Sequence, residues 1–157
     1  MKIDRLVYGD NQFFGINHRS QEKARQLMER FNTLEAITDV YEGAISSGIS
    51  AIMLNSNDRA SSICDWFKDR KDDYGHLSWY PSIPYPHKYA NLVTEKGIPK
   101  AISEVLLNRN TPLGLLQLFG KGISAIFGNR EIKLMEMLVD LEMRPFAGLN
   151  VRSIFLQ

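Results

Sequence analysis

The sequence predicts an α/β fold of the TIM-barrel type, the N-terminal half of a (β/α)8 barrel, on three observations. Short apolar runs rich in β-formers alternate with runs of helical period. The connections between successive strand runs exceed ten residues, which joins strands in parallel and winds them right-handed. Four such units fill 157 residues, where a whole barrel takes about 250. Strands are expected at 5–9, 49–54, 77–83 and 144–149, in sequential order. An open doubly wound sheet would also fit this length. The apolar ending Ile154-Phe155-Leu156, without a cap, favours the barrel, so residues 1–157 read as a single domain and a fragment of a longer barrel.

The first strand, 5–9, closes on the polar triplet Asp10-Asn11-Gln12, and Phe13, Phe14 and Gly15 open a long loop. Ser20 is placed to cap a helix over 21–30, and Thr33 to cap the next. In that second helix Leu34, Ile37, Val40, Tyr41, Ala44 and Ile45 recur at three and four residues, on one face. Gly48 suits the left-handed position that ends it. The run 49–54 is almost continuously apolar, as in a strand covered on both faces. Ala60, Ile63, Cys64 and Phe67 then form the inward stripe of a third helix, followed by a charged turn over 68–74. Pro81 and Pro84 lack donors, so the third strand should be short or irregular at its end. Helical pieces are expected at 87–96 and 98–107, from Pro112 onward, and over 131–142. The run 113–127 is the most apolar, but at about 15 residues it falls short of the roughly 20 needed to span a bilayer. It reads as a buried helix or a protein interface.

Nineteen basic and eighteen acidic side chains leave a net charge of +1, with no basic stripe, which argues against nucleic-acid binding. A single cysteine excludes an internal disulfide framework and fits a reducing, cytoplasmic setting. The charged first five residues do not form a secretory leader, and no membrane partner is expected.

In parallel α/β folds functional groups gather at the carboxyl ends of strands, where loops and helix N-termini converge. The candidates there are Asp10, His87 and Lys88 as catalytic residues, with Asn11, Gln12, Asn55, Tyr85, Asn150 and Arg152 as substrate-binding residues. A carboxylate beside amides suits a general base with orienting groups. Imidazole titrates near neutrality, and a desolvated lysine forms Schiff bases or holds anions. Each has a plainer alternative: polar loop residues turn the chain, and a lysine in a first helical turn is usually solvated. His18 reads as a loop histidine, and Asp58-Arg59 as a helix cap. Cys64 shares the apolar stripe and reads as core. No metal-binding spacing is present, and no particular cofactor is indicated.

Tyr8-Gly9, Gly15 and Ala44-Ile45-Ser46-Ser47-Gly48-Ile49 resemble the opening of the aldo/keto reductase superfamily, over residues 8–55. The resemblance implies a barrel. It does not carry that family's chemistry. Met53 stands where the family has its catalytic aspartate, no tyrosine follows among 56–62, and only Lys88 approaches its lysine. The expected function is therefore that of a barrel-type enzyme, an oxidoreductase or a lyase, acting on a small polar or anionic metabolite. Asp10→Ala should leave the fold nearly intact while removing activity. A half-barrel with open edges should also aggregate or form a homodimer. The alternative is a non-catalytic module that uses 113–127 as an interface.

Overall fold

The computed structural model describes residues 4–83 and 139–156. Backbone contacts divide the chain into two units, one of Met1–Ile83 with Met143–Gln157 and one of Pro84–Glu142. Tyr85, His87, Lys88, the run 113–127 and the helices expected between 87 and 138 lie outside the described residues. The stretch 139–143 is helical, in agreement with the end of the helix expected at 131–142.

The first unit is α/β. A 3-10 turn, Asn11–Phe14, precedes helices α1 (Gln21–Arg30) and α2 (Leu34–Ser46); strand β1 (Ala51–Asn55) follows. Helices α3 (Ala60–Lys68) and α4 (Lys71–Tyr74) lead to β2 (Ser78–Ile83), and β3 is the short Phe155–Leu156. The sheet is parallel, in the order β1-β2-β3. A parallel bridge from Tyr8 to Ile52 adds the first strand segment beside β1, and one from Val151 to Trp79 extends the fourth beside β2. Among the described residues the four segments thus lie in chain order. No described helix is long and apolar enough to cross a membrane.

Local signals place the helices where the sequence puts them. The Ser20 hydroxyl accepts from Lys23 N at 3.2 Å and the Thr33 hydroxyl from Ala36 N at 3.2 Å, each satisfying an otherwise orphaned helix donor. Gly48, at φ +94°, ends α2: its N–H reaches Ile45 O and that of Ile49 reaches Ala44 O, a Schellman pair. Gly15, at φ +62°, turns the chain against α1, where an added Cβ would stand 2.8 Å from the Ala24 carbonyl and 2.3 Å from Met28 Cγ. The charged turn expected over 68–74 contains the short helix α4.

The core lies between the sheet and its helices. Ile52, Leu54, Leu77 and Trp79 pack against Ile37 and Tyr41 of α2 and Ala60, Ile63, Cys64 and Phe67 of α3. Phe67 is the hub, its ring centroid 5.5 Å from Tyr41, 5.3 Å from Tyr74 and 5.0 Å from Trp79. Burial pushes the Cys64 thiol up to about 12, so it stays neutral, as its place in the stripe implies.

Three strand expectations are corrected. The first strand shrinks to Tyr8, with Tyr8 N–H on Ala51 O and Met53 N–H on Tyr8 O, and Arg5 and Leu6 project into solvent. The fourth strand does not occupy 144–149. Pro145 fixes a helical φ, Arg144–Phe146 form a 3-10 turn, and Gly148 takes φ +88°; pairing begins only at Val151. Pro81 does not shorten β2, which runs six residues to Ile83. Both ladder bonds of Trp79 face the fourth segment, to Asn150 O and from Arg152 N. Strand alternation aims the missing donor of Pro81 the same way. The irregularity therefore falls on the neighbour, whose pairing lapses between Val151 and Phe155.

Candidate active site

Asp10 follows the first strand segment and is 2% exposed. Its two carboxylate oxygens accept from Asn55 at the end of β1, Oδ2 from the backbone N–H and Oδ1 from the side-chain Nδ2, both at 2.6 Å. Since a carboxylate only accepts, the Asn55 amide nitrogen must face it and the Asn55 oxygen must face away. Burial raises the Asp10 carboxyl above the ordinary carboxylate range. The Asn55 and Asp10 N–H groups and the Asn55 side chain oppose the shift but are outweighed. A carboxyl raised by burial at the carboxyl ends of parallel strands is a candidate for acid–base chemistry.

A cleft of about 420 Å³ opens beside it, lined by Leu6 through Gln12 and by Ile49, Met53 and Asn55. Asn11, Gln12 and Asn55 therefore share one cleft with Asp10, as the sequence suggests. Gln12 is partly committed, its Nε2 donating to Gly9 O at 2.9 Å. Among the described residues the cleft wall carries one carboxylic acid, Asp10, and no His, Lys or Arg. Behind Asp10 the Tyr41 hydroxyl is fully buried, with no hydrogen-bond partner among the described residues. Burial first, and the Asp10 carboxylate second, hold it neutral.

Asn150 and Arg152 do not belong to this rim. The strand begins after Asn150, so these residues stand at its amino end and not beyond its carboxyl end. The Asn150 amide donates to Leu77 O at 3.2 Å, and Asn150 lines a smaller cleft of about 270 Å³ with Lys68, Lys71 and Tyr74. Arg152 lies level with Tyr80, whose hydroxyl donates to Asp4 Oδ2 at 2.6 Å. Arg59, read from the sequence as part of a helix cap, instead bridges elements. Its guanidinium donates to Phe31 O at 2.7 Å, Thr33 O at 3.3 Å and Phe13 O at 3.4 Å. That places a cation at the carboxyl end of α1, where the helix dipole favours it. His18 is exposed.

Sequence reasoning missed Ser82. In β2 the residues Ser78, Tyr80 and Ser82 pair with Ala51, Met53 and Asn55, so all six share the face turned away from the helices. The signal was there to read: Ser78 and Ser82 stand an even number of residues apart in the strand expected at 77–83, and so on one face.

Comparison with protein-family models, curated proteins and solved structures returns no match. Among the described residues no group of three or more His, Cys, Asp or Glu is placed to hold a metal ion.

Proposed function

We propose that the chain is an enzyme of the (β/α)-barrel type, acting on a small polar metabolite at the carboxyl ends of its strands by acid–base chemistry. Asp10 exchanges the proton, Asn55 orients it, and Asn11 and Gln12 bind substrate at the cleft mouth. The observation that carries this reading is the buried Asp10 carboxyl, raised above its ordinary range and held on both oxygens by one residue of the neighbouring strand. Proton abstraction of this kind is a step that lyase chemistry uses. The barrel assignment is supported by parallel segments lying in chain order. The aldo/keto reductase likeness adds to the fold reading only.

The test is a turnover screen of small polar and anionic metabolites, followed by proton NMR. Wild type is expected to convert at least one, and Asp10→Asn to slow that conversion at least 100-fold, within the range lost with a general base. Equal turnover by both would remove Asp10 from the chemistry, and no turnover of any compound would remove the enzyme reading.

A second copy of the chain is the proposed partner. Leu6, 65% exposed beside the first segment, and Phe155 and Leu156, 42% and 57% exposed on β3, leave apolar side chains at both sheet edges. Parallel edges in chain order let the last segment of one copy meet the first of another. Sedimentation at micromolar concentration should give a dimer, and Leu156→Lys should shift it to monomer. A wild-type monomer would overturn this.

A further inference from the structure

The two walls of the Asp10 cleft run in the same direction and change character together. One wall is the chain from Leu6 to Gln12, and the other carries Ile49, Met53 and Asn55. Tyr8 fixes their register, its N–H donating to Ala51 O and its carbonyl accepting from Met53 N. Because this pairing is parallel, both walls are polar at the carboxyl end, where Asp10, Asn11, Gln12 and Asn55 stand. Toward the amino end both turn apolar, with Val7 on one and Met53 and Ile49 on the other. These three residues are half-buried, so each still shows apolar surface in the cleft.

Gly9 joins the two halves. It follows Tyr8, the bridge partner of Ile52, and so stands level with Met53. Strand alternation puts a side chain at this position on the face of Met53 and not on that of Tyr8. A Cβ added there would meet nothing within 4 Å among the described residues, and Gly9 is exposed. Its φ is not positive, so neither torsion nor crowding calls for glycine here. The missing side chain leaves the cleft floor open beside Met53. Met53 and Asn55 share one face of β1 two residues apart, about 7 Å along the strand. A chain held at Asp10 and Asn55 and extended along the cleft therefore crosses the Gly9 floor and meets Met53.

We propose that the open floor at Gly9, walled by Val7, Ile49 and Met53, is an aliphatic subsite of this cleft, and that the metabolite carries a short apolar chain beside its polar end. This rests on the acid–base reading and narrows it to amphiphilic substrates. The polar end lies at Asp10 and Asn55, and the apolar chain points toward the amino ends of the strands.

The experiment is a methyl-resolved NMR titration of the full chain with acetamide, butyramide and hexanamide, neutral probes that differ in chain length. A fully buried methylene strengthens binding up to about fourfold. Hexanamide, with four more methylenes than acetamide, is expected to bind at least tenfold more tightly and to shift the Val7, Ile49 and Met53 methyls. Gly9→Leu fills the floor, and should weaken hexanamide at least tenfold while keeping acetamide affinity and the wild-type melting temperature. Met53→Ser should flatten the dependence on chain length. Affinity independent of chain length, shifts confined to other methyls, full hexanamide affinity in Gly9→Leu, or a marked fall in its melting temperature would each overturn the proposal. Conversion of a dimer to monomer by hexanamide would give the subsite to a second copy of the chain, and would overturn it too. If Asp10→Asn stops turnover while affinity ignores chain length, only this inference falls. If Gly9→Leu blocks hexanamide while turnover ignores Asp10, only the acid–base reading falls.

Discussion

Asp10→Ala is expected to abolish turnover and to lower stability by about 2–4 kcal/mol. The second effect follows from the bonds the carboxylate makes. Asn55 would keep a backbone N–H and a side-chain NH2 with no acceptor in a part-buried position, each at 2.6 Å in the intact protein. These bonds join residues 45 apart in the chain, tying the first segment to the end of β1. The expectation from sequence, that the fold would be nearly untouched, is replaced on that ground. Urea unfolding of Asp10→Ala and Asp10→Asn measures the loss, and an Ala variant as stable as wild type would show that the pair contributes nothing.

The pH dependence has a definite sign. The folded Asp10 carboxyl sits above its ordinary value, so the folded chain holds this proton more tightly than the unfolded chain. Its favourable contribution is complete below the unfolded value, about 4. It is lost as pH rises through the folded value. Relative to Asp10→Asn, wild type should therefore lose stability as pH rises from about 4. A difference that does not vary with pH would show that burial does not dominate this carboxyl.

Phe67→Ala is expected to cost about 3–5 kcal/mol, the range for emptying a buried phenylalanine site. Phe67 is 2% exposed, and three aromatic rings from α2, α4 and β2 pack on it at 5.0–5.5 Å. Their backbones belong to three elements, so collapse into the space would require moving all of them. Against a typical domain stability of about 5–15 kcal/mol, the loss would leave the unit marginal. With a urea dependence of about 1–3 kcal/mol per molar, the midpoint should fall by more than 1 M. A fall under about 0.3 M would mean the aromatic cluster relaxes freely. Phe67→Leu should keep most of the stability, since it retains most of the buried volume.

The helices and their caps were legible because their causes are local. Ser20 and Thr33 bond amides three residues away, and the buried stripe of α3 needs only the helical period. The parallel order was legible too, because long crossovers leave little alternative. The fourth strand was misplaced for an equally local reason. An apolar run over 144–149 looked extended, yet Pro145 and Gly148 impose torsions that a strand does not use.

The sequence by itself determined an α/β chain with parallel pairing, a helix-covered apolar face and a polar triplet, Asp10-Asn11-Gln12, at the end of its first strand. Only the tertiary structure decided that Asp10 would be gripped by Asn55 and that Ser82 would lie beside Asn55. It also decided that Asn150 and Arg152 would fall away from that rim. The physical reason is register. Which residues stand side by side across a sheet depends on pairing between segments tens of residues apart, and a shift of one residue turns every side chain to the other face. Composition and period carry no record of that choice, and the set of side chains that lines this cleft depends on it.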